Sequence, residues 1–333
     1  MSYGYAHKLE GHNDTIAGLH IYYETFRTCL ISCSLDGLII HWDLNERKII
    51  YKAQLPKITN QDFCIFHILD EVLYVGYSEG FLGSFALESM ANINIFKGHT
   101  DQITSLSIYN SCILSASQDC SVRKWESKTG LCEVVYQFSD PISDILIKNT
   151  QLFVASWDRS VKIIDLEEGI IITEFLAADK PIRCICVDGN TIFVGGCGLV
   201  VISWELPSLK NLEYKGMKSW ALGIKAVGSL LFGFSDDKMI SVWDKVTGKL
   251  LEQFSGHLDG ITCMELTEEF IYSGSFDQSI LVWDIDEMKV RISERALMTR
   301  EDIESRKIET FFRALNTKKK GKKNKKGKKS KKK

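Results

Sequence analysis

The chain lacks most of what the common functional classes require. Its 333 residues contain no apolar run long enough to cross a membrane, which takes about 20 residues of helix. The N-terminal Met1-Ser2-Tyr3-Gly4-Tyr5 has neither the basic start nor the apolar core of a secretory signal, so the protein is not expected to be secreted. The ten cysteines include no C-x-x-C pair. No zinc-ligand spacing is present, and reduced, mostly buried thiols in a nuclear, nucleolar or cytoplasmic protein are expected. No metal and no cofactor are expected. Before about residue 290, no 12-residue stretch places apolar residues at helical spacing.

Charge is balanced in total and lopsided in distribution. The formal net charge is −2, yet residues 318–333 hold 12 lysines and no acid, which leaves residues 1–317 at −14. An acidic body and a basic tail are two electrostatic objects on one chain. The tail has no apolar residue to bury and its like charges repel, so it is expected to be disordered when free. Its lysine clusters fit a nuclear or nucleolar targeting signal, or a contact with RNA, ribosome or DNA phosphates; because it lacks aromatic and arginine side chains that stack on bases, any nucleic-acid contact would be sequence-blind and salt-sensitive.

What is present is a seven-fold repeat. The clearest copies run Gly11-His12 … Ser34-Leu35-Asp36 … Trp42-Asp43, Gly98-His99 … Ser117-Gln118-Asp119 … Trp125-Glu126, and Gly256-His257 … Ser275-Phe276-Asp277 … Trp283-Asp284. The Trp-equivalent positions are Trp42, Phe85, Trp125, Ile164, Trp204, Trp243 and Trp283, with gaps of 43, 40, 39, 40, 39 and 40 residues. Sixteen residues before each turn position stands an apolar residue: Phe63, Ile103, Ile142, Ile182, Ala221 and Ile261. In the first copy Ile16 is 20 residues from Asp36, which predicts a four-residue loop extension around residues 22–27. Ile39-Ile40-His41-Trp42 and Ile280-Leu281-Val282-Trp283 read as short strands between turn residues.

Gly-His, Ser-x-Asp and a Trp six residues after the Asp, at a period near 40, resemble the WD40 repeat, whose units each form one blade of a β-propeller. The resemblance covers about residues 5–290. It implies an all-β, seven-bladed WD40-like propeller, closed by the N-terminal strand before Gly11 pairing with the last blade. A helical extension (291–317) and the disordered tail (318–333) follow. Thr299-Arg300-Glu301-Asp302 reads as a helix start, and Ile308, Phe311, Phe312 and Leu315 as an apolar stripe over about 300–316 that docks on the propeller or holds a partner.

The resemblance further implies that His12, Asp36, Trp42, His99, Asp119, Trp125, His257, Asp277 and Trp283 form buried networks that stiffen blades 1, 3 and 7. Blades 2, 4 and 5 are expected to be softer. Recurring His, Ser and Asp suggest a hydrolase only superficially, because an enzyme needs one triad and these occur at repeat spacing in three copies. Gly195-Gly196-Cys197-Gly198 lacks the lysine and helix of a phosphate loop and reads as a tight turn. Cys184 and Cys186 alternate on a strand and read as core thiols rather than a nucleophile.

In such propellers the residue before the turn Asp and the residue opening the innermost strand project onto the top rim. The first set is Leu35, Ser78, Gln118, Trp157, Cys197, Asp236 and Phe276; the second is Thr15, Asp62, Gln102, Pro141, Pro181, Trp220 and Gly260. Leu35, Asp62, Gln118, Trp157, Trp220, Asp236 and Phe276 are therefore the candidate partner-binding residues. The alternative is that Trp157 or Trp220 packs into the gap left by a missing His in its own blade. The implied function is a non-enzymatic scaffold, monomeric within a larger complex, that binds protein on its rim. Two alternatives stay open: an RNA-associated factor of ribosome biogenesis or RNA processing that uses the tail, and a substrate-recognition subunit of a ubiquitin ligase.

Overall fold

The structure, a computed structural model, describes residues 5–24, 26–56, 63–69 and 71–297. Residues Gly4–Asp284 form one compact unit, a propeller of seven four-stranded antiparallel sheets. Blades 1 to 6 span residues 16–54, 63–96, 103–137, 142–176, 182–215 and 221–255. Blade 7 takes three strands from residues 261–284 and its outermost strand from His7–Leu9. There His7, Lys8 and Leu9 pair with Val282, Leu281 and Ile280. The first strand of each blade lies beside that of the next, and blade 7 returns to blade 1. The chain ends are thus joined, and no sheet is left open between first and last blades.

The repeat motif makes the hairpin turn by hydrogen bonding. In blade 3 the Ser117 hydroxyl donates to the Asp101 carbonyl and accepts the Asp119 backbone N–H. Asp119 Oδ1 then accepts the N–H of Ser121, two residues on. This is the Asx turn that short acids favour. The residue it forces into the left-handed region is Cys120 (φ 66°) here and Gly37 (φ 78°) in blade 1. Asp36, Asp158, Asp237 and Asp277 accept the equivalent N–H.

Each apolar anchor opens an innermost strand, and in all seven blades a register shift follows it at once, as at Ile103/Ser105 and Ile182/Cys184. The bulge bends the strand where it enters the crowded ring. Ile16, Ile103, Ile142, Ile182, Ala221 and Ile261 are all buried. The first hairpin is longer than the rest: Ile16–Tyr23 and Thr28–Ser34 are joined through residues 24–27.

The core is a set of layers between blades. Trp125 packs with Tyr74, Leu82 and Phe96 between blades 2 and 3. Trp243 packs with Cys184, Phe193 and Tyr214 between blades 5 and 6, and Trp42 with Leu9 and Tyr272 between blades 7 and 1. Burying one such ring contributes about 5 kcal/mol of transfer free energy before entropy is charged.

The second unit contains helix α1 (Ile285–Leu297). It starts directly after the last strand, inside the stretch that repeat spacing assigns to the propeller. Asp286 and Glu287 occupy its first turn, and Glu287–Arg291 and Asp286–Lys289 pair along it. The helix read over 300–316 and the lysine tail lie outside the described residues.

Candidate functional site

Three blades hold the complete side-chain network. In blade 3, His99 Nδ1 lies 2.8 Å from Asp119 Oδ2, His99 Nε2 lies 2.7 Å from Ser115 Oγ, and Trp125 Nε1 donates to Ser115 Oγ at 2.8 Å. Blade 7 repeats this with His257, Asp277, Ser273 and Trp283 at 3.0, 2.7 and 2.8 Å. Blade 1 repeats it with His12, Asp36, Ser32 and Trp42 at 3.2, 2.7 and 2.8 Å.

One proton arrangement satisfies every atom of the set. The indole N–H donates to the serine oxygen, the serine O–H donates to Nε2, and Nδ1–H donates to the carboxylate. A neutral imidazole is required, and burial lowers the His12 pKa accordingly. Burial pulls the Asp119 carboxyl upward, but hydrogen bonds from His99 and Ser121 outweigh it and hold it well below the usual carboxylate range. Asp277 behaves alike through His257 and Ser279. Ser32, Ser115 and Ser273 have no exposed surface, so no substrate reaches their hydroxyls.

The other blades are re-satisfied by different means. The position ten before the Trp is Val75, Val154, Val194 and Gly233 in blades 2, 4, 5 and 6, so serine is present only where histidine is. Trp204 and Trp243 donate instead to the backbone carbonyls of Ala177 and Lys215. In blade 4 a lysine takes over. Buried Lys162 reaches Asp158 Oδ2 at 2.5 Å and Glu174 at 3.2 Å, and sits 5.7 Å over the Phe138 ring. Sequence reasoning missed Lys162; its signal was a charge two residues before Ile164 in an otherwise apolar strand.

The two sets of rim positions meet blade by blade. The backbone N–H of Leu35, Gln118, Trp157, Cys197, Asp236 and Phe276 donates to the carbonyl of Thr15, Gln102, Pro141, Pro181, Trp220 and Gly260, respectively. Trp157, Trp220 and Phe276 are 46%, 48% and 45% exposed. In blade 6 the missing-His space holds Met217, buried against Trp243, so Trp220 does not fill it. Asp236 is exposed, Leu35 and Gln118 are half-buried, and Gln118 donates through Nε2 to the Gln102 side chain. Asp62 lies outside the described residues.

The structure joins some of these residues across blades. A Cβ at position 260 would lie 2.7 Å from Asp236 Oδ1 and 3.2 Å from Phe276 Cδ2. A side chain there would crowd Asp236 and Phe276, so glycine lets the rim residues of blades 6 and 7 lie close. Arg183 of blade 5 extends the strip, its guanidinium 5.7 Å from the Trp220 ring centre. A continuous band, Arg183–Trp220–Asp236–Gly260–Phe276, results. Spacing alone did not single out Arg183, which follows its anchor at the bulge. Trp157 and Leu35 stand on the flanking blades 4 and 1.

Several other chemistry-bearing groups are occupied in packing. Cys184 is buried and Cys186 half-buried against blade 6, and burial pushes both thiols up. On the innermost strand of blade 4, Asp144 accepts from Ser105 Oγ of blade 3 at 2.8 Å and from the Ile185 N–H of blade 5 at 3.0 Å. Burial pushes its carboxyl up to about 6. Among the described residues no cluster of His, Cys, Asp and Glu is arranged to hold a metal ion, and no helix is long and apolar enough to cross a membrane.

Four-stranded blades, a clasped ring and buried His–Ser–Trp relays define a β-propeller of repeat type. The family described as "WD domain, G-beta repeat" matches residues 4–43, 90–126 and 248–284. These segments end on the three blades with the full network. The three matched repeats together with the seven-bladed propeller support a WD40-repeat propeller family. It is 23% identical over 269 residues to apoptotic protease-activating factor 1 of Danio rerio, covering 77% of this chain and 21% of that protein. It is 31% identical over 121 residues to protein groucho of Drosophila melanogaster, covering 34% of this chain and 17% of that protein. The chain thus matches about a fifth of the length of these relatives. The crystal structure of the computationally designed Ika8 protein superposes with a TM-score of 0.67 at 17% identity, over 83% of this chain and 98% of that one, a likeness of fold alone.

Proposed function

We propose that this propeller is a non-enzymatic scaffold that holds a protein partner on its top rim, chiefly over blades 4 to 7 and 1. The band from Arg183 to Phe276 carries the reading. Half-exposed aromatic side chains held on a rigid scaffold are the usual anchors of protein interfaces. Here they are positioned by main-chain hydrogen bonds and by a glycine that leaves them room to lie close. Trp157 and Leu35 extend the surface, with Gln118 on the far arc. Propellers of this family generally serve as platforms, and the relatives, which are much longer proteins, are in keeping with that.

A second reading rests on the 12 lysines of residues 318–333. There the tail contacts RNA phosphates while the propeller docks protein, as in an RNA-associated factor. Affinity purification from native cells with and without RNase separates the two. Partners that survive RNase and are lost from the Trp157→Ala/Phe276→Ala double variant support the rim scaffold. Undiminished recovery with that variant refutes it, and partners that vanish with RNase favour the tail. A role in substrate recognition for a ubiquitin ligase predicts ligase subunits among the RNase-resistant partners.

A further inference from the structure

The longer first hairpin has no counterpart in the other blades. Residues 24–27 lie at the end of their strands opposite the Asp36 turn, so the hairpin projects from the face away from the rim. It is braced: Glu24 N–H donates to the Arg27 carbonyl at 2.9 Å, Arg27 pairs with Glu24 at 2.5 Å, and Tyr22 donates its hydroxyl to Glu24 at 3.1 Å. Two aromatic side chains are nevertheless left in solvent, Tyr23 at 70% and Phe26 at 93% exposure. Together with the turn after Trp42 they border a concavity.

The lining of that concavity is mostly acidic. Glu24, Asp43 and Glu46 line it with Arg27; Glu24 engages Arg27, Glu46 pairs with Lys48 at 3.2 Å, and Asp43 pairs with no cation among the described residues. Asp43 is held in place by accepting the N–H groups of Asn45 and Glu46, both at 2.9 Å. The turn is tied to the hairpin by Leu44 N–H on the Thr28 carbonyl at 3.0 Å. Exposed rings beside carboxylates complement one kind of side chain: a long aliphatic stem ending in a cation. We infer that this face of blade 1 is a second docking surface, which takes an arginine- or lysine-bearing peptide segment of a partner protein. The stem lies along Tyr23 and Phe26, and the charged end reaches Asp43 and Glu46. The surface is independent of the rim and gives the scaffold two faces to bridge.

The test uses the full chain and fluorescein-labelled peptides Ser-Gly-Leu-Arg-Leu-Gly-Ser and its Gln counterpart, read by fluorescence polarisation. The Arg peptide is expected to bind about tenfold tighter than the Gln peptide, with the preference shrinking as salt rises. Phe26→Ala should remove most of the binding, Phe26→Tyr should keep it, and Glu46→Gln should reduce the Arg preference. An unchanged thermal melt shows that Phe26→Ala leaves the fold intact. Trp157→Ala/Phe276→Ala should bind the peptide normally, which keeps this result separate from the fate of the rim. Equal binding of the two peptides, undiminished binding by Phe26→Ala, no binding at millimolar protein, or loss of binding in the rim variant would each overturn the inference.

Discussion

Replacing Ser115 by alanine removes one oxygen from the centre of blade 3. That oxygen accepts from Trp125 Nε1 and lies 2.7 Å from His99 Nε2, and it has no exposed surface. Alanine fits the space, so the cost is that of two buried polar groups left without partners. Each costs about 1–3 kcal/mol. The imidazole keeps its Asp119 bond and recovers part of the loss, so the expected total is about 2–4 kcal/mol. For a chain of this size that lowers the melting temperature by about 4–10 °C. Differential scanning calorimetry reads it directly. In a His99→Ala background the serine change should cost much less, because its partner is already gone and the two sites couple. A Ser115→Ala melt within 1 °C of the parent, or full additivity with His99→Ala, would refute the relay as a stabilising unit.

Other perturbations follow from the blades that lack the relay. Asp144 has a folded pKa of about 6, above its ordinary value of 3.8, so its contribution to stability falls as pH rises from about 4 through 6. Asp144→Asn can accept from Ile185 N–H and donate to Ser105, so its urea midpoint should match or exceed the parent's at pH 7.5, with the advantage gone at pH 4; a large loss at pH 7.5 would count against this. Lys162→Ala leaves Asp158 partly buried beside an empty space and should cost about 3 kcal/mol by denaturant titration, with Asp158→Asn recovering part of it. Hydrogen exchange with mass spectrometry should show earlier opening of blades 2, 4 and 5 than of 1, 3 and 7. Uniform protection would mean that apolar packing substitutes fully for the network.

Much of the architecture was legible because each blade is a local unit. Anchor, turn acid and tryptophan fall within about 40 residues, and the Ser-x-Asp turn closes through hydrogen bonds between near neighbours. The clasp of His7–Leu9 onto the last blade was legible for the same reason, since the strand before Gly11 matches those before Gly98 and Gly256. Helix α1 escaped because its apolar residues at helical spacing, Ile285, Met288 and Ile292, are few and stand among charges. Asp286 and Glu287 in its first turn were the available signal. Lys162 was hidden because a repeat pattern reports what conforms to it and says little of what replaces a missing part.

The sequence by itself determined the number of blades, the turn at each and the extended first hairpin. Those follow from backbone rules that operate within one repeat. Only the tertiary structure decided which rim residues touch. Asp236 and Phe276 are 40 residues apart and both lie close against Gly260, and Arg183 meets Trp220 because two blades converge there. Asp144 likewise links three blades through one carboxylate. Contacts between repeats depend on how the twisted sheets stack around the ring, and the repeat period carries no record of that.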